Sequence, residues 1–142
     1  MTSAQKDVPV ATSAPRLAAL RGNCMGAAVL LIIQFGIGMG VNLYVTLPEH
    51  ESFLPAVFGS ATLAAHAIVA LVLLGAAIGA LVRAIRARRA IVLASAGLAA
   101  ILAAGIAGAS FVSNQGTGAS LAMALTTAVA MFCYLAAVFS LR

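Results

Sequence analysis

The stretch RAIRARR, residues 83–89, holds four of the chain's eight basic residues and lies between two long apolar runs. Residues 60–82 before it and residues 90–112 after it contain no Asp, Glu, Lys or Arg. As helices, runs of this length extend over more than about 30 Å, enough to cross the hydrocarbon core of a bilayer. The pattern therefore predicts two transmembrane helices joined by a basic turn.

The composition of the whole chain agrees with a membrane protein. Hydrophobic residues make up 63% of the 142 residues, charged residues only 8%, and the mean hydropathy is +1.13. In soluble domains about a quarter of the residues are charged. The composition excludes an ordinary soluble protein.

The chain contains two further apolar runs of similar length, residues 25–46 and 119–141, which brings the number of candidate transmembrane segments to four. Backbone N–H and C=O groups find no water in hydrocarbon, so all four runs are expected to be helical. We predict an all-α integral membrane protein, an antiparallel four-helix bundle. Residues 1–23 are expected to form a mostly disordered tail, with residues 17–20 as a candidate helical stretch, and residues 24–142 the transmembrane domain.

The basic residues all fall on one side of this arrangement. The N-terminal tail, the 83–89 turn and the C-terminus carry all eight, whereas the 47–59 loop carries two of the three acids. The positive-inside rule then predicts a multi-pass plasma membrane protein with both termini cytoplasmic. The net charge of +5 marks topology and lipid headgroup contact rather than nucleic-acid binding. The predicted headgroup residues are Arg83, Arg86, Arg88 and Arg89.

Polar positions segregate to one side of the predicted helices. Gln34, Gly38 and Asn42 form a stripe within about 80° of the first helix, and Thr62 and His66 are neighbours on the second. Unpaired polar groups are costly in hydrocarbon, so these faces are expected to converge inside the bundle, with Gln34 bridging helices.

Glycines lie mainly on the other faces. Two GxxxG pairs, together with Gly97, Gly105 and Gly108 of the third helix, are expected to look outward or sideways and offer smooth surfaces for close helix approach. This favours a homo-oligomer or a larger membrane complex. The alternative is that glycine simply fills helices in an alanine-rich chain. The predicted helix-packing residues are Gly36, Gly40, Gly75, Gly79, Gly105 and Gly108.

His66 is the only ionisable side chain well inside a predicted span, which makes it the leading candidate for ligand binding. Polar side chains at similar depth could complete a site that opens toward the outside: Asn42, Ser110, Asn114 and Thr126. The alternative is a neutral histidine hydrogen-bonded between helices.

The cofactor, if there is one, is unknown from sequence. Haem held by His66 would need a second axial ligand, such as Met39, Met123, His50 or the His66 of another copy. A second histidine within the spans, as in paired-histidine cytochromes of the b561 type, is absent. Glu49, His50 and Glu51 resemble a metal site by residue type only.

The sequence lacks the residues that other common functions of membrane proteins and enzymes require. No carboxylate lies within a span, which argues against proton-coupled export, and Cys24 and Cys133 form no Cys-x-x-Cys motif. The chain also has no phosphate loop and no nucleophile with a paired base. These absences favour a non-enzymatic protein.

The run QFGIGMGVNLYVTLP (residues 34–48), His66 in an Ala/Leu helix and GASF (residues 108–111) before Asn114 resemble small four-span proteins of actinobacteria. The resemblance covers roughly residues 25–141. It implies a four-span fold and draws attention to Asn42, His66 and Asn114, but it implies no activity.

Three functions are consistent with the sequence. The leading prediction is a structural or accessory component of a membrane assembly. The first alternative is a protein that binds haem or a small ligand at His66. The second is a small permeation or transport protein, with Gln34 and Asn42 lining a polar track.

Overall fold

The computed structural model describes residues 13–45, 53–114 and 116–142. Within this part, the chain forms α1 (Ser13–Tyr44), α2 (Phe53–Gly59), α3 (Ala61–Ala87), α4 (Ile91–Asn114) and α5 (Thr117–Ser140). The four long helices are each long and apolar enough to cross a membrane. The prediction of an all-α four-helix membrane bundle is confirmed.

The helices differ from the predicted ones in two places. α1 begins at Ser13, so residues 13–23, expected to belong to a disordered tail, are helical; residues 1–12 lie outside the described residues. Pro15 is compatible with this start because proline is tolerated in the first turn of a helix. The second difference is the short helix α2, within the loop predicted at 47–59.

The long helices form a closed ring in which α1 contacts α3, α3 contacts α4, α4 contacts α5, and α5 returns to α1. Asn23, early in α1, donates to the carbonyl of Ala76 late in α3, whereas Gln34 is bonded to His66 nearer the start of α3. α1 and α3 are therefore antiparallel. We call the end with the α3–α4 turn the arginine end, and the opposite end the α2 end.

Small side chains pack the arginine end tightly. Ala77, Ala80 and Ala84 of α3 are fully buried, as are Cys24 of α1 and Tyr134 of α5. Alanine lets helix backbones approach closely, and dispersion contacts between them stabilise the bundle.

Gly97 of α4 provides the closest approach in this region. A Cβ placed there would lie 2.8 Å from Cε2 and 2.9 Å from Cζ of the Tyr134 ring. The ring is fully buried and cannot move aside without displacing its neighbours. Gly97 therefore makes room for the largest side chain of this core.

The basic turn closes α3 with a left-handed residue. Arg88 has φ 52°, and the Arg89 N–H donates to the Ala84 carbonyl at 3.1 Å, as in a Schellman-type helix end. Arg83 lies one turn inside the helix and donates to Asn23 Oδ1 at 2.6 Å. Arg83 therefore joins α3 to α1, while the predicted headgroup contacts of all four arginines stay a prediction.

The outward surface of the bundle is apolar. Val92, Ile106 and Phe132 are 80%, 70% and 72% exposed. Such a surface is unfavourable in water but suits hydrocarbon, where helical backbones satisfy their own hydrogen bonds. The chain is a small integral membrane protein whose long helices contact the lipid bilayer.

We predict that Gly97→Ala destabilises the folded bundle by about 1–3 kcal/mol, because the new methyl group overpacks the site against the Tyr134 ring. The matched control is Gly105→Ala in the same helix, where a Cβ meets no described atom within 4 Å. The free energy of unfolding in mixed micelles, measured by denaturant titration, separates the two variants. Equal stability of both would contradict the tight packing of α4 against α5.

Candidate ligand-binding site

A cavity of about 650 Å³ lies between the long helices in the half of the bundle nearer α2. Its wall is mostly apolar, and α2 contributes Leu54, Val57 and Phe58 to it. None of the described residues that line it carries a formal charge. The polar side chains in its wall are Gln34, Asn42, His66, Ser120 and Thr127.

Gln34 and His66 form the central polar contact of this cavity. The Gln34 amide nitrogen lies 3.0 Å from His66 Nε2 and also donates to the His66 backbone carbonyl at 3.1 Å. Gln34 is only 8% exposed. The predicted bridge from Gln34 to another helix is confirmed, and His66 is its partner.

The hydrogen-bond pattern assigns the protons of this pair. A backbone carbonyl only accepts, so the amide atom of Gln34 facing it must be the NH₂ group. The same NH₂ group reaches His66 Nε2, which must then accept with its lone pair. His66 is therefore neutral, and its proton is on Nδ1.

This assignment leaves two polar atoms without partners. His66 Nδ1 and Gln34 Oε1 are both buried and make no hydrogen bond within the described part of the chain. One is an N–H donor and the other a carbonyl acceptor. Buried groups of this kind are costly when left unpaired and are normally satisfied by protein, water or ligand.

Gly38 allows His66 to lie against the backbone of α1. A Cβ at this position would be 2.9 Å from His66 Cε1 and 3.5 Å from Nδ1. Gly38 is one turn after Gln34, so a single face of α1 supplies both the hydrogen-bonding amide and the space for the ring. Gln34 and Gly38 of the predicted stripe therefore face the interior. Asn42 is exposed but lines the cavity, and Thr62, predicted beside His66, is exposed and outside the cavity wall.

A second polar contact lies closer to the α2 end. Ser120 of α5 donates its hydroxyl hydrogen to Asn42 Oδ1 of α1 at 3.2 Å, and both residues line the cavity. Asn42 was a predicted site residue, but Ser120 was not. Ser120 lies two residues after the polar 113–118 segment, and this proximity was the available signal.

Two predicted site residues do not face the cavity. Ser110 is exposed and absent from the cavity wall. Thr126 donates to the Ala122 carbonyl of its own helix at 2.7 Å, while the next residue, Thr127, is buried and lines the cavity. The side chain of Asn114 lies outside the described part of the structure.

The geometry does not favour iron or metal binding at His66. Nε2 uses its lone pair to accept from Gln34, and Nδ1 carries the proton, so neither nitrogen has a free lone pair for a metal. Within the described residues, no group of three or more His, Cys, Asp and Glu could hold a metal ion. Met39 and Met123 do line the cavity. Glu49, His50 and Glu51 lie outside the described residues.

The predicted glycine surfaces divide into two groups. Within the described part of the chain, a Cβ added at Gly36, Gly40, Gly75 or Gly105 would meet nothing within 4 Å. At the other two positions an added Cβ would be in close contact, 3.1 Å from Arg83 Nη1 at Gly79 and 3.3 Å from Met123 Sδ at Gly108.

We predict that Gln34 and His66 are energetically coupled. Gln34→Leu leaves His66 Nε2 unpaired, and His66→Leu leaves the Gln34 amide with only its bond to the residue-66 backbone carbonyl. The double variant removes both side-chain groups together. A double-mutant cycle on the unfolding free energy should therefore give a coupling of about 1 kcal/mol. Thr126→Ala combined with His66→Leu is the control and should be additive. Additivity of the Gln34 and His66 variants would contradict the bridge.

No protein-family model, curated protein or solved structure matches this chain. Its function is therefore inferred from the cavity and the polar atoms within it.

Proposed function

We propose that this chain is a membrane protein that binds an uncharged, largely apolar small molecule in the cavity beside α2. The observation that supports this proposal is an apolar cavity of about 650 Å³ whose wall includes a few polar side chains, among them the hydrogen-bonded pair Gln34 and His66. Ligand sites are typically apolar concavities with a few placed polar groups that orient the ligand. The uncharged wall disfavours an ionic ligand, because a lone ion in a low-dielectric site is strongly destabilised.

The ligand reaches this cavity from the lipid phase. Leu71 of α3 and Ile106 of α4 line the cavity and are each 70% exposed on the outside of the bundle. Phe58 of α2 also lines it and is 68% exposed. The cavity wall is thus continuous with the lipid-facing surface, and an apolar molecule dissolved in the bilayer has a short path to Gln34 and His66.

The arginine distribution supports a location for the site. With the 83–89 turn and both termini on the cytoplasmic side of the plasma membrane, the α2 end faces outward. The cavity then lies in the outer half of the bilayer. The arginines take no part in binding and orient the protein through anionic headgroups.

The test uses dodecyl methyl ether, an uncharged apolar probe, in radiolabelled form. Binding to the protein in lipid nanodiscs is measured by scintillation proximity, with empty nanodiscs subtracted. We expect saturable binding that Ala124→Phe weakens by about tenfold or more, or roughly 1.4 kcal/mol. Ala124 lines the cavity, so a phenyl ring there occupies ligand space.

The matched control is Ala128→Phe, the same substitution one turn later at an exposed position outside the cavity wall. It should bind the ether like the unmodified protein. Equal loss in both variants, or no saturable binding to the unmodified protein, would contradict the proposed function.

The open glycines of α1 favour a second candidate, a component of a membrane assembly. Gly36 and Gly40 are one turn apart and present bare backbone to the surroundings within the described structure. Surfaces of this kind allow another transmembrane helix to approach closely.

For this candidate we expect Gly36→Leu with Gly40→Leu to reduce crosslinked oligomer or partner in native membranes while the monomer stays folded. The control pair is Ala99→Leu with Ala103→Leu, at exposed positions of α4. A strictly monomeric unmodified protein with no co-purifying partner would exclude this role.

A further inference from the structure

We propose that a cleft beside the α3–α4 turn binds the phosphate group of one anionic phospholipid through Arg88 and Arg89. The cleft has a volume of about 430 Å³ and lies at the arginine end, where Ser140 of α5 meets the turn. It shares no lining residue with the cavity beside α2. A lipid bound in the cleft is therefore independent of the small molecule proposed above.

Arg88 and Arg89 are the charged residues in the wall of this cleft, and both are exposed. Among the described arginines, only Arg83 makes a side-chain hydrogen bond, to Asn23 and to its own helix, and it is absent from the wall. The guanidinium groups of Arg88 and Arg89 are thus unpaired in the described part of the chain. Planar guanidinium groups bind phosphate oxygens through paired, charge-assisted hydrogen bonds.

The charges of the described residues select among phospholipid headgroups. No Asp or Glu lies among these residues, while arginines occur at the start of α1, in the turn and after α5. Phosphatidylcholine and phosphatidylethanolamine add an ammonium group to the phosphate, and no described carboxylate side chain is present to pair with it. Phosphatidylglycerol carries only the negative charge of its phosphate, so it is the headgroup that the arginines favour.

The apolar part of the wall favours a lipid over a free anion. Besides the two arginines, the cleft is lined by Ser140 and by the first residues of α4, namely Ala90, Ile91, Val92 and Leu93. Ile91 and Val92 are exposed on the outer surface of the bundle. The acyl chains of a phospholipid held at the turn can run along these side chains, whereas hydrated inorganic phosphate gains nothing from them.

The test measures binding of radiolabelled dioleoyl phosphatidylglycerol to the full chain in dodecyl maltoside micelles by scintillation proximity, with protein-free micelles subtracted. Both ends of the bundle are accessible in a micelle, so the orientation of the protein in a membrane does not affect the result. We expect saturable binding for which unlabelled dioleoyl phosphatidylcholine competes about tenfold more weakly than unlabelled phosphatidylglycerol. Equal competition by the two lipids, or no saturable binding, would overturn the inference.

Variants separate a defined site from general attraction between opposite charges. Arg88→Gln with Arg89→Gln should weaken binding of phosphatidylglycerol by about tenfold or more. The matched control is Arg16→Gln with Arg21→Gln, which removes the same charge from exposed positions of α1 outside the cleft wall and should leave the affinity almost unchanged. Equal weakening by both pairs, or none by the first pair, would overturn the site.

Folding of the first pair is checked by circular dichroism. Arg88 is the left-handed residue that ends α3. If the double variant does not fold, Arg89→Gln alone keeps this residue in place and should still weaken binding severalfold. Unchanged affinity of that folded single variant would overturn the site.

Inorganic phosphate distinguishes a lipid site from a site for any phosphate anion. Titrated against the labelled lipid, it should compete much more weakly than unlabelled phosphatidylglycerol at the same concentration, because it makes no apolar contacts with α4. Competition as strong as that of the lipid would overturn the assignment to a phospholipid.

Discussion

The hydrogen bonds between Gln34 and His66 are the constraint on which the site depends. In hydrocarbon, an amide and an imidazole are tolerated only when paired, and here they pair with each other and with the backbone of α3. Because the Gln34 NH₂ group serves both acceptors, its carbonyl and the His66 Nδ1–H have no donor or acceptor left in the described structure. The bridge joins α1 to α3 and fixes both side chains at the wall of the cavity.

The two ends of the bundle are packed differently: the arginine end is closely packed, and the α2 end contains the cavity. At the arginine end, alanines and Gly97 bring the helices together around Tyr134, and the Arg83–Asn23 bond ties α3 to α1. At the α2 end, larger side chains and α2 itself enclose a cavity. Close packing in one half allows the other to keep open space without loss of the fold.

The four helices were predictable because hydrocarbon restricts a spanning chain so strongly. The interior position of Gln34 and Gly38 also followed from the sequence, since polar side chains avoid lipid. The rotation of the apolar helices was harder to predict. Their outer and inner faces are both apolar, so periodicity does not separate them, and Thr126 was selected where the structure places Thr127 in the cavity wall. Gly97 beside Tyr134 depends on the register of α4 against α5, which no local pattern encodes.

The protonation state of His66 in the folded protein tests the bridge most directly. Nitrogen-15 NMR of selectively labelled protein in nanodiscs distinguishes a protonated ring nitrogen from one that accepts a hydrogen bond. We expect a neutral ring with the proton on Nδ1 and an acceptor Nε2, and we expect Gln34→Leu to remove the acceptor signature. A proton on Nε2, or a doubly protonated ring at neutral pH, would contradict the bridge.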